Sequence, residues 1–225
     1  MRTTADHPTD SHSPHTSHHY LIVAANKIDL TDPYLTIMAQ QLAAAGDAPM
    51  HLRVGGSASN GVIYEPNGVP GRGPGGTIVT DASLAALNGF AVRANLRITF
   101  CFQYHAANIL INATALWKMV SAKNLTAFSG WSLGNEIIGG ASFNRAQYAA
   151  DYVSFRAALT AEGPSWAQDL VGPSAAGFPG DSVMAPFLTA VKDLPSMSIS
   201  IHAYSFGNCT LASYMQKDGI EKMDQ

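Results

Sequence analysis

Six short apolar runs, alternating with stretches of helical spacing, are the feature that most limits what this chain can become. The runs are Tyr20 to Ala25, Met50 to Val54, Arg97 to Phe102, Phe128 to Leu133, Asp169 to Val171 and Met197 to Ile201. Runs of this kind, bounded by turn residues, read as strands buried on both faces. Between the first two, Asp32-Pro33 supplies an N-cap and a proline at the first helical position. Leu35, Met38, Leu42 and Ala45 then recur at helical spacing up to Gly46. Thr80 or Asp81 can cap a second helix running through Ala94. A third covers Ala113 to Lys123, with Leu116, Met119, Val120 and Lys123 on one side. Asn144 to Glu162 carries a stripe of Tyr148, Tyr152, Phe155 and Leu159 and stops at Gly163-Pro164; Ser182 to Lys192 is the fifth. Repeated βα units imply an α/β fold with a parallel sheet and right-handed crossovers.

Composition narrows the class. The chain has 225 residues, 47% hydrophobic and 13% charged, enough for one compact domain with a substantial core. A net charge of −3 and scattered basic residues give no nucleic-acid surface. No stretch approaches the roughly 20 apolar residues of a membrane span, and Met1-Arg2-Thr3-Thr4 lacks the apolar core of a signal peptide. Cys101 reads as a small core residue, and with Cys209 makes no disulfide framework. Residues 1–19 are polar and hold His7, His12, His15, His18 and His19 beside Pro8 and Pro14. They are expected to be a disordered tail without a functional metal site, leaving residues 20–225 as the folded domain. No cofactor is expected. Gly71-Arg72-Gly73-Pro74-Gly75-Gly76 has the spacing of a dinucleotide fingerprint. However, a long loop precedes it and Thr77-Ile78-Val79 follows where a helix should start, so a nucleotide-dependent α/β enzyme is only an alternative.

The chemistry concentrates where the fourth run ends, in Trp131-Ser132-Leu133-Gly134-Asn135-Glu136. A glutamate at a strand end suits general acid/base work on a sugar, and the asparagine before it can hydrogen-bond a substrate hydroxyl. Together with Leu52-Arg53-Val54-Gly55-Gly56-Ser57, and with Met197 to Tyr204, this motif resembles the heparanase-like glycoside hydrolases of family 79. The resemblance runs from about residue 20 to about residue 215. It implies a (β/α)8 TIM barrel, here with about six βα units, since a complete barrel takes about 250 residues. The implied activity is retaining hydrolysis of β-glucuronidic bonds in glycans or glycosaminoglycans, in a secreted, lysosomal or extracellular setting. Membrane association is compatible with that resemblance.

Matched by motif, Glu136 corresponds to the proton donor and Asn135 to the substrate-hydroxyl contact. Arg53 corresponds to a barrel-interior arginine that orients catalytic carboxylates from below. His202 and Tyr204 correspond to an aromatic pair lining the cleft, although the family pattern is closer to His-His-Tyr-Tyr than to His202-Ala203-Tyr204-Ser205. Gln103 corresponds to a strand-end amide, while Asn26, Ser57 and Asn60 are further cleft candidates. A retaining mechanism needs a second carboxylate, which the family places on strand seven. Glu65, Glu162 and Glu221, the remaining glutamates, do not follow an apolar strand in that way. The chain is therefore expected to be the N-terminal three-quarters of a barrel, from a fragment, an incomplete gene model or a degenerate paralogue. A non-catalytic carbohydrate-binding pseudoenzyme is the rival reading.

Overall fold

The computed structural model describes residues 19–20, 28–46, 49–56, 59, 62–69, 71–73, 76–104, 108–137, 144–176, 181–194 and 197–202. Tyr204, Cys209, Glu221, Asn26, Ser57, Asn60 and the tail before His19 lie outside these residues. The main sheet is built from β1 (His19–Tyr20), β2 (Met50–Val54), β6 (Leu96–Phe102), β7 (Phe128–Leu133), β8 (Asp169–Ala176) and β9 (Met197–His202), in that spatial order. Every neighbouring pair is parallel. The connecting helices are α1 (Pro33–Ala44), α2 (Asp81–Arg93), α3 (Ile109–Ala122), α4 (Arg145–Glu162) and α5 (Asp181–Val191). The sheet curls into a half-barrel of the incomplete TIM type.

Strand alternation divides the residues between two environments. Leu52, Ile98, Phe100, Phe102, Trp131, Leu133 and Leu170 are buried in one apolar core with the helices. Trp131 stacks on Phe128 and Phe102, each at 5.7 Å between centroids, and its indole N–H donates to the Ala167 carbonyl at 2.7 Å. From α4, the Tyr148, Tyr152, Phe155 and Leu159 stripe reaches this core as its spacing predicts. The other face of the sheet holds Arg53, Thr99, Cys101, Ser132, Ser174 and Ser200, all buried and all capable of hydrogen bonding.

Several expectations need correction. On α1 the buried residues are Ala39 and Ala43, whereas Met38 and Leu42 are exposed. Tyr34, Leu35, Ile37, Met38 and Leu42 spread apolar groups over most of that helix, so periodicity could not single out its inner face. Helix α3 begins four residues before the expected Ala113, because Asn108 enters it in the left-handed region (φ 63°) without a side-chain cap. Lys123 there is exposed and pairs with Asp81 at 3.1 Å. The fifth strand does not stop at Val171; it continues to Ala176 past a register shift between Val171 and Ser174. Pro173 has no N–H to give a ladder, so an irregularity is where a strand can hold it. Residues 62–79 form a second, three-stranded sheet in the order β3 (Val62–Tyr64), β5 (Gly76–Val79), β4 (Gly71–Gly73). The dinucleotide-like glycines thus lie largely in strands, β4 and β5 being antiparallel. Helix α2 starts only at Asp81, where Thr80 and Ser83 form a capping box. That is not the strand-to-helix turn a pyrophosphate needs.

Asp169 opens β8 at the edge of the sheet away from Glu136 and His202. Burial raises its carboxyl above the ordinary 3.8, opposed by the Ser198 hydroxyl and by the His51 and Arg156 charges. The folded state then holds this proton to higher pH than the unfolded chain, so its contribution to stability falls as pH rises from about 3.8 through the raised value. Asp169→Asn is expected to gain stability relative to wild type between pH 4 and pH 7, read as diverging urea midpoints. A difference that stays constant over that range would contradict the assignment.

Candidate active site

Four residues singled out from the sequence meet at the C-terminal ends of the strands. After Leu133 the chain turns through Gly134 (φ 83°), Asn135 and Glu136 (φ 53°). The turn is tied on both sides: Gly134 N–H donates to the Phe102 carbonyl at 2.8 Å, and Ile137 N–H to the Ser174 carbonyl at 3.1 Å. From the helix side, the Tyr148 hydroxyl donates to the Leu133 carbonyl at 2.9 Å. A left-handed non-glycine residue costs about 1–2 kcal/mol. Here the flanking bonds impose that conformation on Glu136, a pattern that gathers at functional sites.

Glycine is required at position 134. A Cβ there would lie 2.7 Å from Ile137 Cγ2 and 3.0 Å from Tyr104 Cβ, on a backbone L-residues avoid. Gly134→Ala is expected to cost about 2 kcal/mol or more, measured by urea unfolding. A loss under about 0.5 kcal/mol would show that the turn relaxes freely.

Arg53 rises from β2 into the polar face. Its Nη2 donates to Asn135 Oδ1 at 3.1 Å and to Ser174 Oγ at 3.1 Å, with Cys101 Sγ at 3.6 Å. This sets the Asn135 amide with its oxygen toward the arginine and leaves its NH2 as the outward donor. Cys101 is fully buried, but on this polar side rather than in the apolar core, and its thiol donates to the Gly134 carbonyl at 3.2 Å. His202 ends β9. Its Nδ1 lies 2.8 Å from Glu136 Oε1 and its Nε2 lies 3.1 Å from Ser174 Oγ. The Glu136 side chain is 30% exposed and that of His202 only 9%, so the carboxyl meets solvent while the imidazole backs it.

The sequence matches no family model and no curated protein. Among solved structures it is similar to the crystal structure of a 4-O-α-L-rhamnosyl-β-D-glucuronidase from Fusarium oxysporum 12S, with a TM-score of 0.63 and 16% identity. The fold is glucuronidase-like. The match covers 89% of this chain and 46% of that one, so the chain spans a little under half the length of the glucuronidase. At this identity the likeness is one of architecture.

Gln103 directly follows β6 at the same rim and is half-buried. Among the described residues, no second carboxylate stands at the C-terminal end of a main-sheet strand. Glu65 follows β3 in the small sheet, and Glu162 closes α4 in an ion pair with Lys118 at 3.0 Å. Sequence reasoning missed Ser174, and it read Cys101 as a buried residue, which it is, without its contacts to Arg53 and the Gly134 carbonyl. Ser174 lies beyond Gly172-Pro173, which reads as a strand terminator. The signal for Cys101 was available: it stands two residues from Thr99 on a strand whose alternate residues, Ile98, Phe100 and Phe102, take the apolar side.

Ser174, His202 and Glu136 are also linked in the order of a serine-hydrolase triad. Ser174 has no exposed surface, and Arg53 donates to its oxygen. A substrate carbonyl could not reach it, so that chemistry is not supported.

Proposed function

We propose that this chain carries the proton-donor side of a retaining, heparanase-like glycoside hydrolase acting on β-glucuronidic bonds in glycans or glycosaminoglycans. The observation that supports this most is the pairing at the barrel rim of a solvent-facing Glu136 with a buried Asn135 whose amide is held by Arg53. Glu136 protonates the glycosidic oxygen as the bond breaks, and the Asn135 NH2 donates to a neighbouring sugar hydroxyl. Tyr204 and Gln103 are proposed to line the sugar cleft beside His202. The nucleophile, about 5 Å from the donor in a retaining site, comes from outside the described residues. A glucuronide is the substrate class because the similar fold belongs to a glucuronidase and the strand motifs resemble family 79.

A carbohydrate-binding role without turnover is the second reading, favoured by the lack of a second rim carboxylate among the described residues. Incubation with 4-nitrophenyl β-D-glucuronide separates the two. Nitrophenolate release that Glu136→Gln abolishes supports hydrolysis. Saturable binding without release supports the binding role, and the absence of both sinks the glycan assignment.

A further inference from the structure

The hydrogen bonds around Ser174 form a chain whose direction can be deduced from donor counting alone. Arg53 Nη2 is only ever a donor, so it donates to Ser174 Oγ at 3.1 Å. Ser174 is fully buried, and His202 Nε2, at 3.1 Å, is its other side-chain partner among the described residues. The hydroxyl proton cannot go to the guanidinium. Its acceptor is therefore Nε2, which must then be unprotonated. The remaining imidazole proton sits on Nδ1 and is donated to Glu136 Oε1 at 2.8 Å.

We propose that Ser174 is a positioning residue that keeps His202 neutral in its Nδ1–H form and so leaves Glu136 able to hold a proton on Oε2. With a neutral imidazole donating to Oε1, the other oxygen carries the transferable proton toward the solvent side. This role rests on the glycosidase reading for its consequence, but the tautomer itself rests only on the hydrogen-bond chain.

The test is a long-range proton–nitrogen correlation spectrum of the full 225-residue chain, labelled with 15N-histidine, at neutral pH. His202→Gln identifies the His202 signals by their disappearance. The expected wild-type pattern is a protonated Nδ1 and an unprotonated Nε2. In Ser174→Ala, Nε2 is expected to become protonated in most molecules, and Ser174→Thr, which restores the hydroxyl, should return the wild-type pattern. An Nε2–H or doubly protonated His202 in the wild type overturns the proposal with no variant needed, and so does an unchanged pattern in a folded Ser174→Ala. The spectrum reads the resting protein, so failure of β-glucuronide turnover leaves this outcome intact. Turnover abolished by Glu136→Gln alongside an Nε2–H wild type would retain the hydrolase and reject the role of Ser174.

Discussion

Glu136→Gln is expected to lower β-glucuronide turnover by about two to four orders of magnitude, the range for removing a general acid, while leaving the fold intact. The comparison is made in a polypeptide that shows β-glucuronide turnover. The substitution keeps the side chain's shape, and the amide oxygen still accepts from His202 Nδ1. Only the transferable proton is lost. Because the side chain is part-exposed, the unfolding free energy from urea titration should change by less than about 0.5 kcal/mol. The deficit should shrink for a 2,4-dinitrophenyl glucuronide, whose leaving group departs with little protonation. Turnover within threefold of wild type, or an equal deficit for both leaving groups, would remove Glu136 from the donor role.

The largest effect on stability is expected at Trp131, in the same motif but on the opposite face of β7. Trp131→Ala should cost about 3–5 kcal/mol, as deletion of a buried aromatic does. The side chain is fully buried, stacks on Phe102 and Phe128, meets Trp117 edge-on and donates its N–H to Ala167. Alanine leaves a cavity and a carbonyl without its donor. Since domains are stable by only about 5–15 kcal/mol, urea unfolding should show a much earlier midpoint or no folded baseline. Trp131→Phe should recover part of the loss. A cost under about 1 kcal/mol for the alanine variant would mean that this core collapses around the gap. Read with Glu136→Gln, the pair separates the motif into a residue that holds the strand and a residue that meets solvent at the rim.

The strand–helix alternation was legible because the main strands are largely apolar and three of the helices are capped by their own chemistry: Asp32 at α1, Thr80 at α2 and Asn144 at α4. Where a cap was missing, at Asn108, the helix start was misjudged. The small sheet of residues 62–79 was not legible, since strands of three or four residues containing glycines look like a loop. For the site, Glu136 and Asn135 were visible because they end an apolar run. Arg53 was visible as a charge inside one.

The sequence alone determined the parallel strand order's raw material, the apolar face of α4 and the Gly-Asn-Glu corner, all of which depend on neighbours a few residues apart. Tertiary structure decided what those pieces meet. Arg53, Cys101, Asn135, Ser174 and His202 come from five strands or strand ends and are separated by as many as 149 positions (Arg53 to His202). They converge because a curled parallel sheet turns alternate side chains of every strand toward one axis. Ser174 shows the difference most plainly. Its local sequence, Gly172-Pro173-Ser174, signals a break, and only the pairing of β8 with β9 across a register shift brings its hydroxyl between the Arg53 guanidinium and the His202 imidazole.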